Sequence, residues 1–221
     1  MILHHIPLSR SFRVLWMLEE LGLHAELKVY SVRDGSTRSS GLLRCSPLGK
    51  VPALEFDDGS VMFESPAILQ VLAEMYPDSN LDCPAGHRDH RRFLELFGFA
   101  ETLASEIETL NMQHLFLRDP KDVSLSVMKI NTARVKAALK VLDTMLDDQD
   151  WLCSSGFSAA DIMMSYNLLS AKYFVDISVF SNVVDYQIRI GKRPAFQSAC
   201  ARDGQQEFYS QEFYPIPKVV G

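Results

Sequence analysis

Gly49-Lys50-Val51-Pro52-Ala53-Leu54-Glu55-Phe56-Asp57-Asp58-Gly59-Ser60-Val61-Met62-Phe63-Glu64-Ser65 is the stretch from which the architecture of this chain is read. Residues 53–56 form a short apolar run of strand length. Asp57-Asp58-Gly59 is a hairpin signal, because Gly tolerates the positive φ that tight turns need. Residues 61–63 supply the returning strand. Ser65-Pro66 opens a helix, with Ser as the N-cap and Pro at the first helical position, where its missing N–H loses nothing. Val51 precedes Pro52 and is held extended, with its N–H and C=O free to pair with a ligand. A cis Val51–Pro52 bond would set Val51 at a sharp corner. Glu64-Ser65 offers a carboxylate, a hydroxyl and a helix N-terminus that favours an anionic group. Facing one another, these two features suit a small zwitterionic peptide.

Working back toward the N-terminus, residues 1–6 are an apolar run stopped by Pro7 and read as a buried strand. Residues 9–21 read as a helix, with Phe12, Leu15, Trp16, Leu18 and Leu21 at helical spacing and Gly22 as the stop. Leu27 and Val29 alternate with polar residues as a second strand. Residues 31–48 are polar and irregular, with room for one short helix at 39–45. The helix at 65–76 closes a unit of order β-α-β-α-β-β-α. Its first two strands pair in parallel through a right-handed crossover, and the hairpin adds antiparallel strands. This is the thioredoxin-like arrangement. The loop between the first strand and helix, Pro7-Leu8-Ser9-Arg10-Ser11, carries no cysteine, which excludes disulfide exchange from that position.

The rest of the chain reads as helical. Pro77-Asp78-Ser79-Asn80 and Cys83-Pro84-Ala85-Gly86 form a linker signal. Phe93, Leu96, Phe97, Ala100, Leu103, Ile107, Leu110 and Leu115 make one apolar stripe. After Asp119-Pro120, a second stripe is read at Val127, Ile130, Ala133, Ala137, Val141, Met145 and Leu146. Ser158 and Asp161 stand at capping-box spacing ahead of a third helix. The fold class is therefore α/β followed by all-α: a thioredoxin-like domain over 1–79 and a helical bundle over 87–204. A tail over 205–221 carries Phe208, Tyr209, Phe213 and Tyr214. These aromatics are expected to cover the cleft, the helical domain or another subunit.

Composition narrows the function classes. The chain has 221 residues, 47% hydrophobic, enough for one large or two small domains. A net charge of −6 argues against a nucleic-acid surface as the main role. No apolar run reaches membrane-span length, and the N-terminus shows no signal peptide. The cysteines Cys45, Cys83, Cys153 and Cys200 form no Cys-x-x-Cys pair, which suits free thiols in a reducing compartment. Cys45 reads either as a modifiable thiol or as a half-buried helix-end residue. The six histidines show no ligand spacing, so no metal site is expected.

Lys50-Val51-Pro52 followed by Glu64-Ser65-Pro66-Ala67-Ile68 resembles the glutathione site of the cytosolic glutathione transferases, in particular serine-type bacterial and fungal members. Arg193-Pro194-Ala195-Phe196 and the Ser158–Asp161 box extend the resemblance to about residue 204. Ser46, where many relatives carry Asn, is a departure from it. The resemblance implies that Lys50, Val51, Pro52, Glu64 and Ser65 hold glutathione as co-substrate. Val51 would pair with its cysteinyl part, and Glu64 and Ser65 with its γ-glutamyl end. It also implies that Ser9, at the family's spacing from Arg13-Val14, is the catalytic residue. A hydroxyl at a helix N-terminus can donate to a thiolate, and the helix dipole further depresses a thiol pKa that is ordinarily about 8.5. Ser11 and Arg10 compete with Ser9 for that role, and both serines are also N-cap candidates. A small hydrophobic electrophile is expected between the domains, lined by the first helices of the helical half. A cytoplasmic homodimer active in detoxification follows from the resemblance. Trp16 and the stripe at 93–115 offer apolar surface for the pairing. The alternatives are a non-catalytic binding or regulatory module of the same fold and a glutathione-dependent isomerase or etherase. The loop lacks the Ser-Ser-Cys triplet of the maleylacetoacetate isomerase class, which counts against the isomerase.

Overall fold

Four short strands form one mixed sheet. In a computed structural model, which describes residues 1–217, β1 (Ile2–His5) lies between β2 (Glu26–Val29) and β3 (Ala53–Glu55), with β4 (Val61–Phe63) on the edge. β1 and β2 run parallel with Leu3 opposite Leu27. β1 and β3 run antiparallel with Leu3 opposite Leu54, and the β3–β4 hairpin places Leu54 opposite Met62. Gly59 takes φ 84 in the hairpin turn, as the Asp57-Asp58-Gly59 signal requires.

Helices α1 (Ser11–Glu20) and α3 (Ser65–Met75) pack against the sheet, and α2 (Ser40–Cys45) follows β2. Leu3 and Leu54 are buried in one cluster with Phe12, Leu15, Trp16, Ile68, Leu69 and Leu72. Each such side chain contributes roughly 1.5–3 kcal/mol through burial. The helical half consists of α4 (His90–Asn111), α5 (Leu125–Met145), α6 (Ala159–Ala171), α7 (Ser181–Gly191) and α8 (Pro194–Asp203). The same core cluster runs through both halves without a break. Trp16 joins them, its ring 6.0 Å from Phe157 and 4.8 Å from Phe196. Arg193 closes a bidentate pair with Glu20, both oxygens at 2.7 Å, and Arg202 pairs with Glu19. Helix α6 opens on a complete capping box: Ser158 N–H donates to Asp161 Oδ2 at 2.9 Å, and the Ser158 side chain accepts from the helix backbone.

Three readings need correction. The buried face of α5 is Met128, Asn131, Val135, Leu139 and Leu142, while Ile130 and Val141 are exposed. The helix has two adjoining apolar stripes, and the polar Asn131 disguises the buried one. Its amide is satisfied inside the helix, donating to Val127 O at 2.9 Å. Second, the stripe on α4 and Trp16 are internal core, so they leave no surplus surface for a partner. Third, α4 does not run on to Leu115 as α-helix. Residues Met112–Phe116 form a wider π turn, with Leu117 N–H donating to Met112 O at 3.0 Å. Such insertions re-aim the side chains that follow them.

Candidate functional site

The loop from Pro7 to Arg10 enters α1 through a left-handed Leu8, at φ 56. Non-glycine residues seldom adopt this conformation, and something must hold it. Two contacts do so here. Leu8 N–H donates to Asp203 Oδ2 at 3.0 Å, and Leu8 O accepts from the Tyr166 hydroxyl at 3.3 Å. Ser9 is thereby presented to a cleft of about 360 Å³ between the sheet domain and the helical half. On the sheet side the cleft is lined by Ile6, Leu8, Ser9, Arg10, Lys50 and Val51. On the helical side it is lined by Ile107, Glu108, Asn111, Phe116, Tyr166 and Asn167, with Phe208 and Tyr209 from the tail.

The site residues expected from the sequence separate into two groups. Ser9, Lys50 and Val51 line this cleft. The Val51–Pro52 bond is cis, and Pro52 is buried next to it. Glu64 and Ser65 are not on the cleft wall. Glu64 is exposed at the N-cap position of α3, with φ 78, and Ser65 is the first residue of the helix rather than its cap. The Ser65 hydroxyl is buried and accepts from Arg13 Nη1 at 3.1 Å. Arg13 links the groups: its Nη2 donates to Asn167 Oδ1 at 2.9 Å, and Asn167 lines the cleft.

In the sequence Arg13 serves only as a spacing landmark for Ser9. It is completely buried, pairs with Glu101, and lies 4.8 Å over the Tyr166 ring. Its Nε has no partner among the described residues. Burial pulls the guanidinium below its ordinary pKa, opposed by the Glu101 charge. A signal was present in the sequence: Arg13 is the one charge in the otherwise apolar run Phe12-Arg13-Val14-Leu15-Trp16-Met17-Leu18. Arg10, the competing electrostatic group, is engaged by Glu108 at 3.0 Å and Glu101 at 3.9 Å.

The reading of Ser11 as an N-cap is also overturned. The cap position of α1 is Arg10, with no side-chain cap bond. Ser11 Oγ is buried and lies 2.7 Å from His5 Nδ1 and 2.8 Å from Ser9 Oγ. The histidines likewise do more than the sequence indicated. Pairing of β1 with β3 sets His4 Nε2 2.8 Å from Glu55 Oε1, and the ligand atoms of His4, Cys45 and Glu55 lie within 4.8 Å of one another. Cys45 is buried there, not half-buried.

The tail folds back over the cleft. Arg33 Nη2 donates to Glu207 O at 2.6 Å and Ser31 Oγ donates to Glu207 Oε2 at 2.7 Å, which fastens the tail to the sheet domain. Tyr209 stacks on Tyr173 at 3.8 Å and donates to Asn111 Oδ1 at 2.8 Å. Burial pushes its phenol up to about 12. Phe208 meets Phe116, on the π turn, at 6.3 Å. Residues 218–221 of the tail lie outside the described residues. Among the described residues no helix is long and apolar enough to cross a membrane.

Residues 9–75 match the family described as glutathione S-transferase, N-terminal domain. Glutathione S-transferase 3 of Schizosaccharomyces pombe is 28% identical over 212 residues, spanning 91% of this chain and 87% of that protein. Glutathione S-transferase GstA of Escherichia coli O157:H7 is 28% identical, spanning 72% of this chain and 76% of that protein. A sphingomonad glutathione S-transferase solved in complex with glutathione superposes with a TM-score of 0.76 at 28% identity, covering 92% of this chain and 98% of that one. A thioredoxin-like sheet domain followed by a helical bundle, a cis Val51–Pro52 corner and a serine at the mouth of α1 accompany these matches along most of the chain. Over most of its length the chain is similar to glutathione S-transferases, and residues 9–75 match the N-terminal domain of that family.

Proposed function

We propose that the protein is a glutathione S-transferase in which Ser9 activates the thiol of glutathione for attack on a small hydrophobic electrophile. The observation that carries this reading is the shared cleft. Ser9, Lys50 and Val51 offer a hydroxyl, a cation and an extended backbone on one side, and Ile107, Phe116 and Phe208 offer an apolar wall on the other. Val51 takes the cysteinyl part, Lys50 and Pro52 shape that corner, and Glu64 and Ser65 take the γ-glutamyl end beyond Arg13. Holding thiol and electrophile together converts a two-body encounter into a reaction within one site. The Ser9 hydroxyl then stabilises the attacking anion.

Turnover of a generic aryl halide with glutathione, together with retention on immobilised glutathione, tests this. Absence of both would leave only a family member without the activity. We further infer a cytoplasmic homodimer. The edge strand β4 exposes Val61 and Phe63, an uncovered edge of the kind a second copy protects. Light scattering that gives the mass of one 25.0 kDa chain at micromolar concentration would dispose of the dimer.

A further inference from the structure

Behind Ser9 lies a continuous line of polar groups running away from the cleft into the protein. Ser9 Oγ is 2.8 Å from Ser11 Oγ, which is 2.7 Å from His5 Nδ1. On the far side of the ring, His5 Nε2 is 3.1 Å from Asp203 O and 3.2 Å from Asp203 Oδ1. Ser11 and His5 are fully buried. Asp203 ends α8, and Gly204 follows it at φ 91, so close to Pro7 that a Cβ there would meet its ring at 3.3 Å. This contact clamps the carboxylate under the loop that carries Ser9.

The donors and acceptors can be assigned one by one. Two oxygens of Asp203 face Nε2, and neither can donate, so Nε2 carries a proton. With His5 neutral, Nδ1 is an acceptor and at 2.7 Å takes the Ser11 hydroxyl proton in preference to the Ile6 carbonyl at 3.2 Å. Ser11 Oγ already accepts from Ile6 N–H at 3.1 Å, and its remaining lone pair takes the Ser9 proton. In that state the Ser9 hydroxyl points away from the cleft and can only accept from a ligand. Protonation at Nδ1 reverses the line. His5 then donates to Ser11, Ser11 donates to Ser9, and the Ser9 proton is free to point into the cleft. Asp203 Oδ1 has no hydrogen bond among the described residues and lies 3.2 Å from His5 Nε2, beside the proton that the ring carries there.

We propose that His5 is the acceptor of the thiol proton in the first step of the reaction, acting through Ser11 and Ser9. The inference rests on the glutathione reading above. The S–H bond breaks as its proton passes to Ser9 Oγ. The Ser9 proton passes to Ser11 Oγ, and the Ser11 proton passes to His5 Nδ1. The products are a thiolate that accepts from the Ser9 hydroxyl and an imidazolium paired with Asp203, with no net change in charge. The same shift leaves every hydroxyl pointing in the direction that stabilises the anion. His5 and Ser11 are positioning residues, since only Ser9 touches the sulfur. The other titratable groups near this line are Tyr166 on α6, Cys200 on α8 and Arg10 on the loop. Tyr166 and Cys200 feel the Asp203 charge, and Tyr166 also feels Arg10.

The test uses the whole protein. Glutathione is added to the wild type while the ultraviolet absorbance of the thiolate and the nitrogen NMR shifts of the histidine rings are followed. The His5 resonances are expected to move from the neutral Nε2–H form to imidazolium as the thiolate band grows. A thiolate band with His5 still neutral would overturn the relay, whereas no band at all would instead remove the glutathione reading beneath it. Ser11→Ala breaks the line between Ser9 and His5. It should lower the neutral-pH rate on the order of a hundredfold, the lower end of what a positioned acid–base group supplies, with KM for glutathione within about twofold. The loss should be recovered at high pH. His5→Gln should show the same profile. Unchanged pH–rate profiles in a folded Ser11→Ala protein would overturn the proposal whether or not His5→Gln folds.

Discussion

Replacing Arg13 with Met should destabilise the protein and loosen the site together. Met keeps the unbranched stem and fills most of the space, so the change falls on the charge and its hydrogen bonds. Arg13 donates to Ser65 at 3.1 Å and Asn167 at 2.9 Å and pairs with Glu101. A hydrogen bond from a charged donor contributes about 1.5–3 kcal/mol, so losing two costs about 3–6 kcal/mol. Two effects offset part of this. The guanidinium no longer suffers the desolvation that depresses its pKa. Glu101, with a side chain 34% exposed, regains water when its partner is removed. The net loss is about 3 kcal/mol, the lower edge for breaking a buried ion pair. In a chain of this size, each kcal/mol moves Tm by about 2–4 °C, so the melt should fall by about 6–12 °C. Arg13→Lys should fall between the two, because one ammonium lacks the planar fork that reaches Ser65 and Asn167 at once. The assay is a calorimetric melt of both variants, with glutathione affinity measured on the folded protein. A fall below about 2 °C for Arg13→Met would refute the reasoning, since the buried cation would then be contributing nothing beyond its stem.

Ser9→Ala should leave glutathione affinity nearly unchanged while lowering the neutral-pH rate on the order of tenfold to a thousandfold, equivalent to about 1.4–4 kcal/mol. The loss should shrink at high pH, where the thiol ionises unaided, and an unchanged pH–rate profile would transfer the role to another group. Glu64→Ala or Ser65→Ala should weaken glutathione binding by about 1.5–3 kcal/mol in calorimetry. Equal affinity in a folded variant would take that residue out of the site. Burial raises Asp161 from 3.8 to about 6, so the native protein holds this proton more tightly than the unfolded chain does. Stability from this carboxyl should therefore decline by about 3 kcal/mol as pH rises from about 4 to about 6. Asp161→Asn should flatten that segment of the stability curve, and a segment as steep as that of the wild type would contradict the assignment.

What the sequence discloses and what it hides divides by distance along the chain. The hairpin, the start of α3 near Ser65-Pro66 and the Ser158–Asp161 box are legible because their residues meet partners a few positions away. The buried face of α5 is misread because two apolar stripes adjoin and Asn131 occupies the deeper one. Ser11 is mistaken for a cap because its true partner, His5, precedes it on a strand whose side chains give no helical signal. Arg13 is passed over because Ser65, Glu101 and Asn167 come from three different helices. Asp203 is almost the whole chain away from the Leu8 N–H it accepts from. No spacing rule connects such pairs; only the packing of α8 beneath the first loop brings them together.

If Ser9 activates the thiol as proposed, that packing gives the tail a chemical role as well as a structural one. The sequence admits three destinations for its aromatics, and the fold seats Phe208 and Tyr209 on the cleft itself. Glu207 is tied to Arg33 and Ser31, so the aromatic wall is held across from Ser9 by the sheet domain and by Asn111 of the helical half together. An apolar wall there removes water from one side of a forming anion. The attraction between that anion and the Ser9 hydroxyl is then screened less than it would be in open solvent. Water removal alone would disfavour the thiolate, because a desolvated thiol holds its proton. The wall therefore helps only if the polar line behind Ser9 supplies a donor in place of the lost water. On this argument the tail and the Ser9–Ser11–His5 line depend on one another. Phe208→Ala should soften the effect of Ser11→Ala, and the two rate losses should combine to less than their product. Strict multiplication of the two losses would show that the wall and the line act independently.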